Sequence, residues 1–466
     1  DLRRTPFTYG GSMSDLAVIL SRIQFAFTAG FHFLMVPLTM GLILFVVIFE
    51  IWYIRTGKKL YRDQANFWGN LFAINFIVGI VTGITMEIQF GTNWAEYSTF
   101  MGDIFGSPLA FEALMAFFLE STFAGIWIFY RHKISDRFRL VTAILVLVGI
   151  HLSAVWIIAA NGFMQNPVGF KLAADGSKVL LTDFMAVALN PYALYMLIHT
   201  VTSAYLLGAF FVLGISGYHL LKKSNVEFFG SASRVAVVVL LITAISQPLI
   251  GHFYGQYVGT IQPAKAAAFE LNWETEDSVP LYLIQIPLPE EERNIEALGI
   301  PGFGSFLHTN RFDGTVTGIK EATRDWTEEM VEDYKGILTL THFSFRIMVG
   351  LGGLFILLAV WGTYLSWKNR YTENRLIQKL FLWLLPAPWI AITLGWIVAE
   401  VGRQPWIVQG LMLTRNAVST NVSAAQVGFS LGTIFVFYAV ILVMEIALLK
   451  RFIKKGPIAD PFRNRG

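Results

Sequence analysis

Nine apolar stretches follow one another along the chain, at 26–53, 67–90, 108–130, 140–160, 192–220, 235–252, 338–367, 380–400 and 427–449. A helix needs about 20 mostly apolar residues to cross a bilayer, and these stretches meet or approach that length, the sixth being the shortest. Their apolarity is near-continuous, with neither a two-residue alternation nor the short strand rhythm of a membrane β-barrel. The pattern predicts an all-α polytopic membrane protein of about nine transmembrane helices.

Polar positions between the stretches predict orientation. Basic residues gather at Arg55, Lys58, Lys59 and Arg62, at Arg131, Lys133, Arg137 and Arg139, and at Lys222, Lys223 and Arg234. They gather again at Lys368, Arg370, Arg375 and Lys379, and in the tail from Lys450 to Arg465. Alternating helices put all five groups on one side, which the positive-inside rule makes cytoplasmic, with the N-terminus outside and the C-terminus inside. Residues 253–337 then form a long outer loop, with a short helix expected near 327–335 and mobility elsewhere. The chain divides into 1–252 (six helices), 253–337 (outer loop) and 338–466 (three helices and a cytoplasmic tail).

Composition agrees. The chain of 466 residues is 55% hydrophobic and only 14% charged, where a soluble domain carries about 25% charged residues. Forty Phe and thirteen Trp suit lipid-facing and interfacial surfaces. A net charge of +3, distributed for topology, gives no sign of nucleic-acid binding. There is no cysteine, which excludes disulfides, iron–sulfur clusters, thiolate-ligated haem and haem attached through cysteines. The first apolar run is too long for a signal peptide and is expected to be a retained helix. No internal repeat of the kind many transporters carry is visible.

Ionisable groups inside apolar stretches are expensive and point to function. The eighth stretch ends Trp396-Ile-Val-Ala-Glu400-Val-Gly402-Arg403-Gln404-Pro405, where Gly402 and Pro405 are expected to stop the helix. Glu400 could be an axial ligand, a proton acceptor or Arg403's partner, and Arg403 is placed to hold a carboxylate such as a haem propionate. His32, His151 and His199 lie within stretches; His32 and His199 read as haem-iron ligands or as histidines bonded between helices. His151, near Ser153 and Asn161, reads as part of a polar path. Met348 reads as core packing or, with Arg346 nearby, as a thioether ligand beside a propionate clamp. Glu112 and Glu120, eight residues apart on one helix, lie about 12 Å apart along the axis and resemble a proton relay. Glu87, Gln89, Asn93, Trp94 and Glu445 add polar groups within or at the ends of stretches. His342 reads as interfacial, and His132, His219, His252 and His308 as solvated. Too few histidines lie in the stretches for a haem–copper oxidase.

Several motifs occur together in order: Ser21-Arg-Ile-Gln24-Phe…His32-Phe, Met86-Glu-Ile-Gln-Phe-Gly-Thr-Asn-Trp94, Glu112…Phe-Phe-Leu-Glu120-Ser-Thr-Phe, Asn161-Gly-Phe-Met-Gln-Asn-Pro167, His199-Thr, Phe345-Arg-Ile-Met348 and Gly402-Arg-Gln-Pro-Trp406. In this order and spacing the chain resembles subunit I of the cytochrome bd quinol oxidases. The resemblance implies two b-type haems and one haem d. It implies His199 and Met348 as the ligands of a low-spin haem b, and His32 and Glu400 as the ligands of the high-spin pair, in an order left open. It places Arg346, Trp396 and Arg403 beside the haems, and Glu112, Glu120 and Ser153 in proton delivery and the haem pocket. Lys265 and Glu270 match its quinol-binding positions. The outer loop is of the short form, and the residues before Ser12 have no counterpart in the family.

The same resemblance implies a terminal respiratory oxidase of the bacterial inner membrane. It would oxidise quinol at the outer face and reduce O2 to water with cytoplasmic protons, building a proton motive force without pumping. The partners implied are a second membrane subunit and, optionally, a small single-span accessory subunit. Two rival readings are a di-haem quinol dehydrogenase and a proton-coupled transporter using Glu112, Glu120 and Glu400.

Overall fold

A computed structural model describes residues 15–458. The stretch before Ser12 and Arg463 and Arg465 of the basic tail lie outside the described residues. Among the described residues nine helices are long and apolar enough to cross a membrane. In chain order these spans are Asp15–Thr56, Lys59–Thr92, Ala95–Tyr130, Asp136–Gln165, Phe184–Leu221, Val226–Ile261, Glu328–Trp367, Arg375–Val401 and Ala424–Lys455. The spans outrun the apolar runs because polar turns at each end continue the helical hydrogen bonds beyond the apolar stretch.

Among the described residues the basic connections meet at one end of the bundle. Arg62 pairs with Asp136 at 2.9 Å, and Gln64 Nε2 donates to the Phe228 carbonyl at 2.6 Å. His219 Nε2 lies 2.8 Å from the Ile453 carbonyl, and its ring stacks on Phe229 at 4.0 Å, so this histidine is buried where solvation was expected. Spans 1 and 5 cross backbone to backbone: a Cβ on Gly208 would lie 2.5 Å from the Gly41 Cα. Small residues allow this approach between helices in lipid, where packing holds them together.

Near that end Arg139 of span 4 donates to Glu50 of span 1 at 2.5 Å, with side chains 1% and 0% exposed. Asn66 accepts a second bond from Arg139 at 3.0 Å, and the guanidinium lies 5.7 Å from the Trp127 ring. Two charges this deep are tolerated because they are paired with each other.

Span 3 contains a π-helical segment, Glu112–Phe117. Eight residues of regular helix leave Glu120 about 80° around from Glu112; one residue's worth of extra winding takes up about 100° and brings the two within about 20°. Span 8 is broken into Arg375–Trp383 and Ala387–Val401, with Pro386 and Pro388 at the break, and it ends beside Gly402 as expected.

The outer loop is shorter and more ordered than the sequence suggested. Span 6 runs to Ile261 and span 7 begins at Glu328, leaving residues 262–327 between them. The expected 327–335 helix is the start of span 7, where the Thr327 hydroxyl accepts from the Met330 amide. The loop holds a helix, Pro263–Glu270, and an antiparallel hairpin of Leu281–Leu288 with Arg293–Ile300. Three further two-stranded ribbons are present among the described residues.

Two predictions follow from these contacts. Arg139→Met leaves Glu50 buried and unpaired and is expected to destabilise the bundle by about 3–5 kcal/mol, with part recovered in the Glu50→Gln/Arg139→Met pair. Thermal unfolding in detergent measures this, and a single variant as stable as the parent contradicts it. In the hairpin turn, Glu292 meets Lys335 at 3.0 Å and Lys320 at 3.3 Å, and these amines hold its carboxyl below its ordinary range. A lowered pKa adds stability above the unfolded-state value and loses it as pH falls through the folded value. Hairpin amides should therefore lose hydrogen-exchange protection as pH falls below about 4.3, by a small amount because the pair is solvated. Unchanged protection once the intrinsic pH dependence of exchange is removed contradicts the tether.

Candidate functional site

Glu400 lies in the last turn of span 8, where helix carbonyls have no partners further along. Its Oε2 accepts from Arg403 at 2.5 Å. Its Oε1 accepts from Asn161 Nδ2 at 3.0 Å and Gln165 Nε2 at 3.1 Å, both from span 4. Asn161 and Gln165 are four residues apart, so one face of span 4 presents both amides. Arg403 is 4% exposed, and its Nε and second terminal nitrogen are buried without partners. A cavity of about 220 Å³ is bordered by Arg403, Gly402, Gln262, Lys265, Trp326 and Gln409.

Lys265, in the loop helix, reaches into the same place. Its Nζ donates to Gln165 Oε1 at 2.6 Å and to the Ala399 carbonyl at 2.9 Å, and the Tyr192 hydroxyl is 3.3 Å away. Burial first, and Arg403 second, push this amine well below its ordinary range.

His32 approaches from span 1. Its Nδ1 is 3.0 Å from the Thr82 hydroxyl, which itself donates to the carbonyl of Val78 or Gly79. With its proton committed there, Thr82 accepts from Nδ1–H and leaves the Nε2 lone pair of His32 as the free donor to a metal. The adjacent Phe33 meets Trp396 edge-on at 4.8 Å, one turn before Glu400.

His199 of span 5 sits beside Gln247 of span 6, with its Nε2 3.1 Å from the amide nitrogen. Its Nδ1 and Gln247 Oε1 are buried without partners. Met348 of span 7 faces Gly395 of span 8, where a Cβ would lie 3.1 Å from the sulfur. Arg346 donates to Glu270 at 2.9 Å and to Gln285 at 3.2 Å, joining span 7 to the loop helix and the hairpin. His342, expected at an interface, is buried with Nδ1 donating to the Phe269 carbonyl at 2.9 Å. Burial pushes the nearby His308 imidazole down, against the pull of Glu270.

The expected proton-path residues form a second group. Ser153 donates to Glu112 at 2.8 Å, and Glu120 packs on Gly149, where a Cβ would lie 2.8 Å from the Glu120 Cβ. The Glu112 carboxylate and the backbone at Glu120 thus both lie against span 4, which eight residues beyond Ser153 carries the Asn161 that holds Glu400. His151 uses both ring nitrogens, on the Leu147 carbonyl at 2.7 Å and the Tyr205 hydroxyl at 2.6 Å.

The structure therefore gathers Trp396, Glu400, Arg403 and Lys265 at one helix end, with Met348 and Phe33, the neighbour of His32, flanking that helix. It separates Lys265 from Glu270, which faces Arg346. Sequence reasoning missed Thr82, Gln165, Gln247 and Gly395; only the Asn161–Gln165 spacing carried a visible signal. Among the described residues no three His, Asp or Glu side chains gather into one cluster.

The chain matches the family "Cytochrome bd terminal oxidase subunit I" over residues 20–457. It is 39% identical to "Cytochrome bd ubiquinol oxidase subunit 1" of Bacillus subtilis (strain 168), over 96% of this chain and 95% of the relative. It is 36% identical to "Cytochrome bd-II ubiquinol oxidase subunit 1" of Escherichia coli (strain K12), over 94% and 97%. Its fold is similar to that of the bd oxidase from Geobacillus thermodenitrificans, with a TM-score of 0.85, 28% identity, and coverage of 95% of this chain and 99% of that one. The chain belongs to the cytochrome bd terminal oxidase subunit I family, multi-span proteins of the bacterial inner membrane.

Proposed function

We propose that this chain is the haem-bearing subunit of a quinol:O2 oxidoreductase that oxidises quinol at the outer face and reduces O2 to water with cytoplasmic protons. The observation that carries it is the buried Glu400–Arg403 pair at the end of span 8, with Trp396 one turn earlier meeting Phe33 beside His32, in a chain of this family. The cofactors are two haem b and one haem d, which supply one-electron transfer and O2 reduction when bound. His199 and Met348 hold the low-spin haem b, and His32 and Glu400 hold the high-spin pair.

The side chains fit such groups. His32 keeps Nε2 free through Thr82, and His199 has an unpartnered buried nitrogen. Gly395 leaves the Met348 sulfur uncovered by any side chain at that position. Buried N–H groups of Arg403 and Arg346 have no protein acceptor, as expected of guanidiniums that bind propionates.

Protons reach the O2 site from the cytoplasm by way of Glu120, Glu112 and Ser153, on the face of span 4 that leads to Asn161. The five basic connections lie on the cytoplasmic side, with the N-terminus outside and the C-terminus inside. Residues 262–327, between spans 6 and 7, form the quinol loop, with Lys265 and Glu270 in its site. Quinol gives up its protons outside while O2 takes them from inside, so charge separates without a pump. The complex includes a second membrane subunit and accommodates a small single-span accessory subunit.

The test is the reduced-minus-oxidised spectrum of the purified complex with quinol-driven O2 uptake. Low-spin b bands and a d-type band in the red are expected, and Met348→Leu should abolish or shift the low-spin b bands alone. A colourless complex fits the transporter reading, and pigment without O2 uptake fits a dehydrogenase; either overturns the proposal.

A further inference from the structure

Gln165 has every hydrogen-bonding position of its amide assigned. Its Oε1 accepts from Lys265 Nζ at 2.6 Å and from Gln262 Nε2 at 3.1 Å. Its Nε2 donates to Glu400 Oε1 at 3.1 Å and to the Ala399 carbonyl at 3.3 Å. An amide's two ends differ only in whether they donate or accept, so a neighbour that can only accept fixes which end faces it. Glu400 as a carboxylate requires Nε2, and Lys265 and Gln262 on the other side require Oε1. Removing Lys265 takes away the shorter of the two bonds to Oε1 and loosens the side chain that holds Glu400.

Lys265 acts on Glu400 by a second route. Ala399 is the residue before Glu400, and its carbonyl is one of those the end of span 8 leaves without a helical partner. Lys265 Nζ donates to it at 2.9 Å, closing the helix from outside. The amine fills its bonds in either protonation state. Charged, it donates to Gln165, Ala399 and Tyr192; neutral, it donates to the first two and accepts from the Tyr192 hydroxyl. A Cβ on Gly402 would lie 3.1 Å from the Lys265 Cγ, so the glycine after the helix is what admits the stem.

We propose that Lys265 is a positioning residue for Glu400, acting through Gln165 and the Ala399 carbonyl, in addition to any contact with quinol. The inference rests on the haem-ligand role of Glu400 proposed above. It makes the loop helix Pro263–Glu270 a structural support of the high-spin haem site. Outer partners that orient a metal ligand are worth about 10–100-fold in metal affinity or activity.

The test is redox and absorption spectroscopy of the purified complex carrying Lys265→Met, Gln165→Leu, or both. Each single variant should shift or weaken the high-spin bands and leave the low-spin b bands in place, which also reports that the bundle has folded. The double variant should do less than the sum of the two singles, because they share the Gln165 route, and at least as much as Lys265→Met, which also removes the bond to the Ala399 carbonyl. KM for quinol is measured in parallel and reads out the quinol-site role separately. High-spin bands unchanged in both single variants, with or without a raised KM, overturn the inference. A parent complex without high-spin bands refutes the haem-ligand reading instead, and the positioning role falls with it.

Discussion

A carboxylate at the end of a membrane-spanning helix is the constraint around which this site is built. Glu400 sits where an isolated charge would be costly, and three side chains from two segments answer it: Arg403, Asn161 and Gln165. The same interactions place the neighbours. Span 8 must stop at Gly402 for Arg403 to turn back, and span 4 must present two amides one turn apart. The loop helix must then come close enough for Lys265 to close the helix end. Trp396, one turn earlier, carries the contact to Phe33 beside His32.

Span 4 ties the site to the other end of the molecule. Along one helix it carries Arg139, locked to Glu50, then Gly149 against Glu120, Ser153 on Glu112, and Asn161 and Gln165 on Glu400. The buried ion pair holds this helix against span 1, the span that supplies His32. The π segment in span 3 turns Glu112 and Glu120 towards the same helix. The proposed proton path and the proposed iron ligand thus lean on one rigid element, which suits the proposed delivery of protons to the site of O2 reduction.

Much of this was legible in the residues. Apolar runs revealed nine spans because hydrocarbon demands long uncharged helices, and basic connections grouped themselves because alternation is forced. Glu400 and Arg403 stood out for the same reason: charge is rare in such a helix. Thr82, Gln165 and Gln247 did not, since uncharged polar residues are common in spans and their importance lies in which neighbour they meet. Gly395 matters only because Met348 faces it from another helix. The π segment left no mark that a regular helical period would reveal. The outer loop was misread as mobile because its order comes from contacts distant in sequence, such as Glu292 with Lys335 and Arg346 with Glu270.

Glu400 is proposed to hold a high-spin haem while His199 and Met348 hold the low-spin one. The most direct measurement is the reduced-minus-oxidised spectrum of a purified Glu400→Gln complex, an exchange that preserves size and removes the charge. The account predicts loss or displacement of bands from the high-spin pair with the low-spin b bands intact. A Glu400→Gln spectrum identical to that of the parent would contradict it.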